Sequence, residues 1–418
     1  MSKKKKYSFR TLLQELFLTY SFFIQNDLFT YASSCAFGLI FSFLPVLILT
    51  ATILIRVLHT SPEVLISFLN QTDFFSNSIN ITEVVSSFLN IHGNIFFEIV
   101  IGVFLLLMAR KLFNSVVKGF HCIFHTESKR RPLKWQLIII AGEVILVVLL
   151  AVLIFIFSAA NSLLDFSLIK ELIPKFILDL INKLALFLPI IFMFFLIMIT
   201  YKTASGTKPK WRICFICSSA CTIIFRLFIL IFSNFTDMTK YNLIYGILSN
   251  TIILLFEFFS FFVLYLFFAQ ALFVHQFFDQ LLLAELYLLP NREETKLTSI
   301  IRRIMFIKPD YFIRSEFSLI SYSANCIIFR EGEETSDVYF IAEGTIMLSQ
   351  KNQISHCDRG CFFGELSCIL MKPREVTATS VTNVKLIKIE GETFSAMLEK
   401  NPGATHKVLS QISTYFKK

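Results

Sequence analysis

Residues 363–378, FGELSCILMKPREVTA, hold the spacing in this chain best suited to chemistry. Gly364 lets a backbone come close to a ligand. Glu365 is a carboxylate able to accept from hydroxyls. Arg374 supplies a planar guanidinium fork, the donor geometry that suits a phosphate. A short helix beginning at the Gly-Glu pair would aim free backbone N–H groups at the same anion. The stretch therefore reads as a phosphate cradle.

Other candidates are weaker. HCIFH, His121 to His125, places two imidazoles four residues apart. It lacks the glutamate of HExxH and has no evident third ligand, so no metal site is expected. Cys214, Cys217 and Cys221 share a helix face inside an apolar stretch, where small-residue packing is the simpler reading. Arg226 and Glu257 fall in separate apolar stretches. Ionisable groups at such depth seek a partner or a wet cavity, and the expectation is an ion pair between them. No catalytic constellation is found, and none of these groups points to an enzyme.

The elements that must carry these residues follow from composition. The chain has 418 residues, 55% of them hydrophobic, and a mean hydropathy of +0.67. These values place most of it in a bilayer. Six apolar stretches are long enough to cross, near residues 31–58, 94–113, 135–159, 180–201, 211–233 and 244–276. The last is long enough to project beyond the bilayer or to break. Loops 110–134 and 202–212 are rich in Lys and Arg, whereas 59–93 carries none and 234–243 only Lys240. The basic loops belong inside, which places both termini in the cytoplasm. The net charge of +9 is thus an orientation signal rather than a nucleic-acid footprint. The expected outer loops hold no Cys, so no disulfide framework is implied. The basic start, MSKKKKYSFR, has no cleavage pattern after it and reads as retained. Phe9, Leu12, Leu13, Leu16, Phe17, Tyr20 and Phe23 recur at helical spacing. They predict an amphipathic helix, either on the inner leaflet or docked on the bundle. No TVGYG-like filter or Arg-repeat helix marks a voltage-gated channel.

After Pro290 the period changes. NREETKLTSIIRR reads as a helical connector. Residues 318–350 form short β-rich runs broken at Gly332 and Gly344, the pattern of a small β-roll. The last residues read as helices, with Phe394, Met397 and Leu398 on one face and Val408, Leu409 and Ile412 on another.

Two resemblances give these elements an identity. The first span carries Asp27, the small residues Ala32 to Ala36, Phe37, Ser42 and Pro45. With FHCIFHTESKRRP and YNLIYGILSNTIILL in the same order, residues 10–280 resemble the YihY/BrkB family of bacterial inner-membrane proteins. The small residues let helices approach closely, and Pro45 permits a bend. The family's closing Gly-Ala-Glu reads Phe268, Ala269, Gln270 here. Residues 305–418 resemble the cyclic nucleotide-binding domain, with FREGEETSDVYFIAEG matching its strands and RGCFFGELSCILMKPREVTA its phosphate-binding cassette. That resemblance implies a ligand site of Phe363, Gly364, Glu365, Leu366, Arg374, Glu375 and Val376. Glu365 would take the ribose 2′-OH and Arg374 the cyclic phosphate, with Tyr415 or Phe416 stacking on the base. Glu375 stands where a small residue is usual, and Met371 where a Gly is common. The choice between cAMP and cGMP stays open.

The expected architecture is an all-α polytopic membrane bundle of six transmembrane helices, with a cytoplasmic β-roll cyclic nucleotide-binding-like domain and its flanking helices. The expected divisions are an amphipathic helix at 1–30, a membrane domain at 31–280, a connector at 281–304 and the ligand domain at 305–418. The partners expected are membrane lipid and a cyclic nucleotide, with no nucleic acid and no metal. No helix-turn-helix segment follows the ligand domain, which argues against a transcription factor. The function this implies is a bacterial inner-membrane transporter, or an envelope solute- or lipid-handling protein, under cyclic nucleotide control. The alternatives are a scaffold with a degenerate nucleotide domain and a membrane-anchored nuclease, in line with the family's old ribonuclease BN label.

Overall fold

The computed structural model describes residues 9–41, 110, 112–125, 175–235, 247–288, 306, 318–350 and 353–416. The chain divides into two compact units: residues 19–273, and residues 1–18 together with 274–418. In chain order the helices before the strands are α1 (Phe9–Gln25), α2 (Leu28–Phe41), α3 (Leu112–Phe124), α4 (Lys175–Ala204), α5 (Trp211–Phe235), α6 (Ile247–Gln276) and α7 (Phe278–Leu288).

Two of these are long and apolar enough to cross a membrane, over Trp211–Phe232 and Ile252–Gln276, where the fifth and sixth spans were expected. The first appears in part, as the shorter apolar helix Leu28–Phe41, and the fourth lies within α4, whose stretch Ile190–Ala204 is apolar. The second and third lie outside the described residues, save for the end of the second at residues 110, 112 and 113. The basic segment 110–134 was expected to be a loop, yet its first part is helix α3. The reason is an apolar face beneath the charges: Phe120, Ile123 and Phe124 are fully buried. α6 runs unbroken for 30 residues, about 45 Å against a hydrocarbon core of about 30 Å. It stops at Gln276, and α7 begins after the single turn residue Phe277.

The helices are built inside out relative to a water-soluble bundle. On α5 the buried stripe is Cys214, Cys217, Ser218, Cys221, Thr222, Phe225 and Ile229, while Phe215, Ile216, Ile223, Leu227 and Ile231 are exposed. The small residues of α5 face the neighbours and most of its large apolar ones face outward, which suits lipid and not water. The small residues of α2 behave likewise: Ala32, Cys35 and Ala36 are buried. A Cβ on Gly38 would lie 3.0 Å from the Leu112 Cα, so this glycine sets how closely α2 and α3 meet. Several polar groups inside are paired. Ser34 and Ser115 share a 2.9 Å hydrogen bond. Tyr201 donates to the Tyr265 carbonyl at 2.8 Å, and Tyr265 donates to Thr200 Oγ1 at 2.9 Å.

Among the described residues no ion pair joins Arg226 to Glu257, where one was expected. Glu257 is buried, and its Oε2 has no hydrogen-bond partner among the described residues. Separate helices do not bring two long side chains together by depth alone. The periodicity places each on a face, but the rotation of α5 against α6 decides which faces meet.

α1 forms as its spacing predicts. Leu18, Phe22 and Phe23 are buried, whereas Phe9, Leu12, Leu16 and Tyr20 are exposed. Glu15 accepts from or pairs with His275 Nδ1 at 3.1 Å, tying α1 to the end of α6.

Among the described residues of the other unit, eight strands form two antiparallel sheets: β1 (Ser318–Tyr322), β2 (Ile327–Phe329), β3 (Val338–Glu343), β4 (Ile346–Gln350), β5 (Gln353–Cys357), β6 (Phe362–Phe363), β7 (Thr377–Ser380) and β8 (Val384–Ile389). The orders are β1-β8-β3-β6 and β2-β7-β4-β5. Between them lie Phe329, Tyr339, Ile341, Ile346, Phe363, Ala378, Val384 and Leu386. β3 is buried on both faces up to Ala342, which is why VYFIA reads as a continuous apolar run. The turn at Gly344 (φ 92°) has no room for a side chain, since a Cβ would lie 2.6 Å from Val384 Cγ1. A six-residue helix, α8 (Glu365–Leu370), sits between β6 and β7. Helices α9 (Gly391–Lys400) and α10 (Pro402–Phe416) follow. α7 packs against both. Phe394, Met397 and Val408 are buried as expected, but Leu409 is exposed.

Candidate functional site

The cradle stretch forms β6, α8 and the turn into β7. Phe363 anchors it. Its buried ring stacks on Tyr339 at 5.3 Å and on Phe329 at 5.9 Å. Gly364 then takes a φ of 84°, and a Cβ there would lie 2.6 Å from Arg374 Nη1. Only glycine meets both demands.

A cavity of about 270 Å³ opens beside α8. Six of the seven expected ligand residues line it: Phe363, Gly364, Glu365, Leu366, Glu375 and Val376. Phe329, Leu348, Phe362, Ser367 and Lys372 are also in its wall. The mix is an apolar pocket with a few polar groups, as small-molecule sites usually are.

Arg374 is the exception. It is 2% exposed and stands behind the cavity wall. Nε donates to Thr335 Oγ1 at 2.9 Å, Nη1 to the Gly364 carbonyl at 2.8 Å and Nη2 to the Asp337 carbonyl at 2.5 Å. Its guanidinium lies 4.2 Å over the Phe329 ring. Burial pulls its pKa below the ordinary value, opposed by Tyr339, Asp337 and Glu333. These bonds use three of the five N–H donors in the fork. The backbone is laced to it too: Gly332 N–H donates to the Arg374 carbonyl at 2.7 Å, and Arg374 N–H to the Glu333 carbonyl at 2.9 Å.

Glu365 opens α8 on the cavity side. Burial raises its carboxyl above the usual range; its own backbone N–H, Lys407 and Arg374 pull it back down. Lys407, from α10, was not singled out in the sequence. Its Nζ donates to the Tyr287 carbonyl at 2.5 Å and lies 4.5 Å over the Tyr287 ring. Tyr287 in turn meets Phe362 edge-on at 5.2 Å and Phe394 at 5.8 Å. Nothing in local spacing marks these two residues, because the contact joins positions 120 apart. Tyr415 and Phe416 end α10, but their side chains lie outside the described residues.

Met371 closes α8 with φ 51° and is 93% exposed. A left-handed C-cap is a glycine position, and this methionine packs against little. Met371→Gly is expected to stabilise the β-roll by about 1 kcal/mol, read as a higher midpoint in denaturant unfolding.

Two family models match the chain: virulence factor BrkB over residues 19–279 and the cyclic nucleotide-binding domain over residues 319–401. A cyclic nucleotide-gated potassium channel of Mesorhizobium japonicum is 29% identical over 79 residues, 19% of this chain and 22% of the channel. Lysophospholipase NTE1 of Pyricularia oryzae is 25% identical over 136 residues, 31% of this chain and 9% of that protein. Among solved structures, "cAMP bound PfPKA-R (141-441)" aligns with a TM-score of 0.25 and 19% identity, over 34% of this chain and 45% of that one. The chain thus spans between 9% and 22% of the length of the curated relatives it matches.

Proposed function

For a chain that belongs to the virulence factor BrkB family and carries a cyclic nucleotide-binding domain, we propose a membrane protein whose activity is set by cAMP or cGMP. The helical part, in this reading, is a multi-pass inner-membrane bundle with both termini in the cytoplasm. It moves or handles an envelope solute or lipid and is not an enzyme. The reading of the tail rests on one observation: the cassette is uninterrupted, and its Gly364, Glu365 and Glu375 line one cavity with Arg374 directly behind.

Each residue has a task in this proposal. Glu365 accepts from the ribose 2′-hydroxyl. Arg374 holds Gly364 in place and offers its remaining N–H groups to the cyclic phosphate. The apolar wall of Phe329, Leu348 and Phe362 receives the sugar and base edges. Glu375 adds a negative charge near an anion, which favours a ligand that gives it a donor, such as a guanine amine. The bound ligand biases α7, which follows α6 after one residue, and so reaches the membrane part through the chain itself.

The test is titration of the purified full-length protein in lipid nanodiscs with cAMP and with cGMP, beside Glu365→Gln. The expected result is saturable binding by the wild type and at least tenfold weaker binding by the variant. Absence of binding for both nucleotides in the wild type overturns the reading. The bundle's role is checked by solute and lipid flux in vesicles with and without the nucleotide that binds.

A further inference from the structure

The turn from α4 into α5 is cationic. Lys202, Lys208, Lys210 and Arg212 fall within it, and no Asp or Glu occurs between residues 180 and 236. Lys208, Lys210 and Arg212 are exposed, and the ion pairs among the described residues engage none of them. Lys202 has a different task. Its ammonium donates to the Pro209 carbonyl and lies 5.2 Å over the Trp211 ring, which fixes the turn against the start of α5. Trp211 is nevertheless 56% exposed. The apolar stretch long enough to cross a membrane begins at this same residue. The cations and the indole therefore stand where an apolar helix meets the polar edge of a bilayer, the level at which tryptophan is enriched.

Apolar surface continues from the turn along both helices. Phe215 of α5 meets Phe194 of α4 edge-on at 5.3 Å, so the two helices abut there. Phe195 and Ile199 on α4, and Phe215 and Ile216 on α5, are exposed. Ile199 and Phe215 lie at similar depth, about 7 Å from the ends of their helices at about 1.5 Å per residue. Resting on the reading of the helical part as a membrane bundle, we propose that Lys208, Lys210, Arg212 and Trp211 form a binding site for the headgroup of an anionic phospholipid. The phosphate accepts charge-assisted hydrogen bonds from the three exposed cations. The glycerol region lies at Trp211, and an acyl chain covers the exposed Ile199 and Phe215.

The amphipathic order decides the partner. A free anion would satisfy the cations but would leave the exposed apolar surface uncovered, whereas a phospholipid matches both. Net charge decides which phospholipid. A zwitterionic headgroup brings its own ammonium to the phosphate and gains little from three further cations. An anionic headgroup gains from each of them, and that gain is screened by salt.

The chain has two tryptophans, so Trp135→Phe leaves Trp211 as a single reporter. The full-length protein with this change is placed in phosphatidylcholine vesicles. Part of the lipid is replaced by dibrominated phosphatidylglycerol or by dibrominated phosphatidylcholine, whose bromines quench indole fluorescence on contact. The anionic lipid is expected to quench with an apparent affinity about threefold higher or more. Lys208→Gln, Lys210→Gln and Arg212→Gln together bring that ratio to one. Lys208→Arg with Lys210→Arg keeps it. Salt at about 1 M, where the screening length is about 3 Å, removes the preference without any substitution at the cations. This last readout stands even where the triple variant fails to fold. Equal quenching by the two lipids overturns the site and leaves α5 in the bilayer. Quenching by neither overturns the site and the placement of α5 together. A preference that survives both the triple substitution and salt overturns the assignment to these cations. A preference abolished by millimolar inorganic phosphate, at constant ionic strength, overturns the lipid in favour of a soluble anion.

Discussion

Replacing Arg374 with Met costs the β-roll about 3 kcal/mol and at least tenfold in cyclic nucleotide affinity. The guanidinium makes three hydrogen bonds in the interior, to Thr335, Gly364 and Asp337. A hydrogen bond to a charged group contributes about 1.5–3 kcal/mol. Relief of the buried charge returns part of that sum, which brings the net to about 3 kcal/mol. The carbonyls of Gly364 and Asp337 are then left without this donor, and the wall of the cavity loses its backing. Arg374→Lys keeps the charge but has no planar fork to span two carbonyls, so it recovers less than half of the loss. Denaturant unfolding of the full-length protein, followed by hydrogen exchange at β3, β6 and β7, measures the stability. Nucleotide titration measures the affinity. Equal stability for wild type and Met variant would show that the three bonds contribute nothing net.

Phe363→Ala has the larger effect on stability, about 3–5 kcal/mol, the range for truncating a buried aromatic ring. Its ring is 1% exposed, stacks on Tyr339 and Phe329 and also forms part of the cavity wall. Truncation joins the core to the cavity, so neighbouring side chains cannot collapse to fill the gap without closing the site. The expected pattern is loss of exchange protection across β2, β3 and β6 together, with nucleotide binding lost in parallel. Phe363→Leu, which keeps most of the volume, is expected to restore most of the stability and less of the binding, because the stacked face is gone. Loss of binding with protection unchanged would mean that Phe363 serves the ligand alone and not the fold.

Both predictions concern a stretch that was legible before any coordinates. Gly364, Glu365 and Arg374 stand at a spacing that suits a close backbone approach with an anion-matching fork, and a cavity does form beside the first two. The role of Arg374 is broader than its spacing implied. A guanidinium reads the same in sequence whether it faces a ligand or a carbonyl. The three bonds that turn it inward come from Thr335, Asp337 and Gly364, and two of those are backbone atoms that carry no residue signature.

The ion pair expected between Arg226 and Glu257 marks the opposite limit. Hydropathy shows that both positions are deep, and physics says that deep charges seek partners. Which faces of two helices meet is a property of packing, and here the Glu257 Oε2 finds no donor among the described residues. Helix α3 is a milder case. Counting charges made residues 110–134 a loop, but a helix needs only one apolar face, and Phe120, Ile123 and Phe124 supply it.

By itself, then, the sequence determined what periodicity, charge balance and local motif can carry: an apolar helical part, a β-roll with a nucleotide-type cassette, and the glycine turns at Gly344 and Gly364 that no other residue would fill. The tertiary structure alone decided what depends on the meeting of distant positions. It turned Arg374 toward the interior, left Glu257 without its expected partner and set Lys407 on the end of α7. The reason is physical. Local sequence governs backbone conformation and the face on which a side chain stands, but a long side chain takes its partner from whichever element packs opposite, and that element may be 120 residues away.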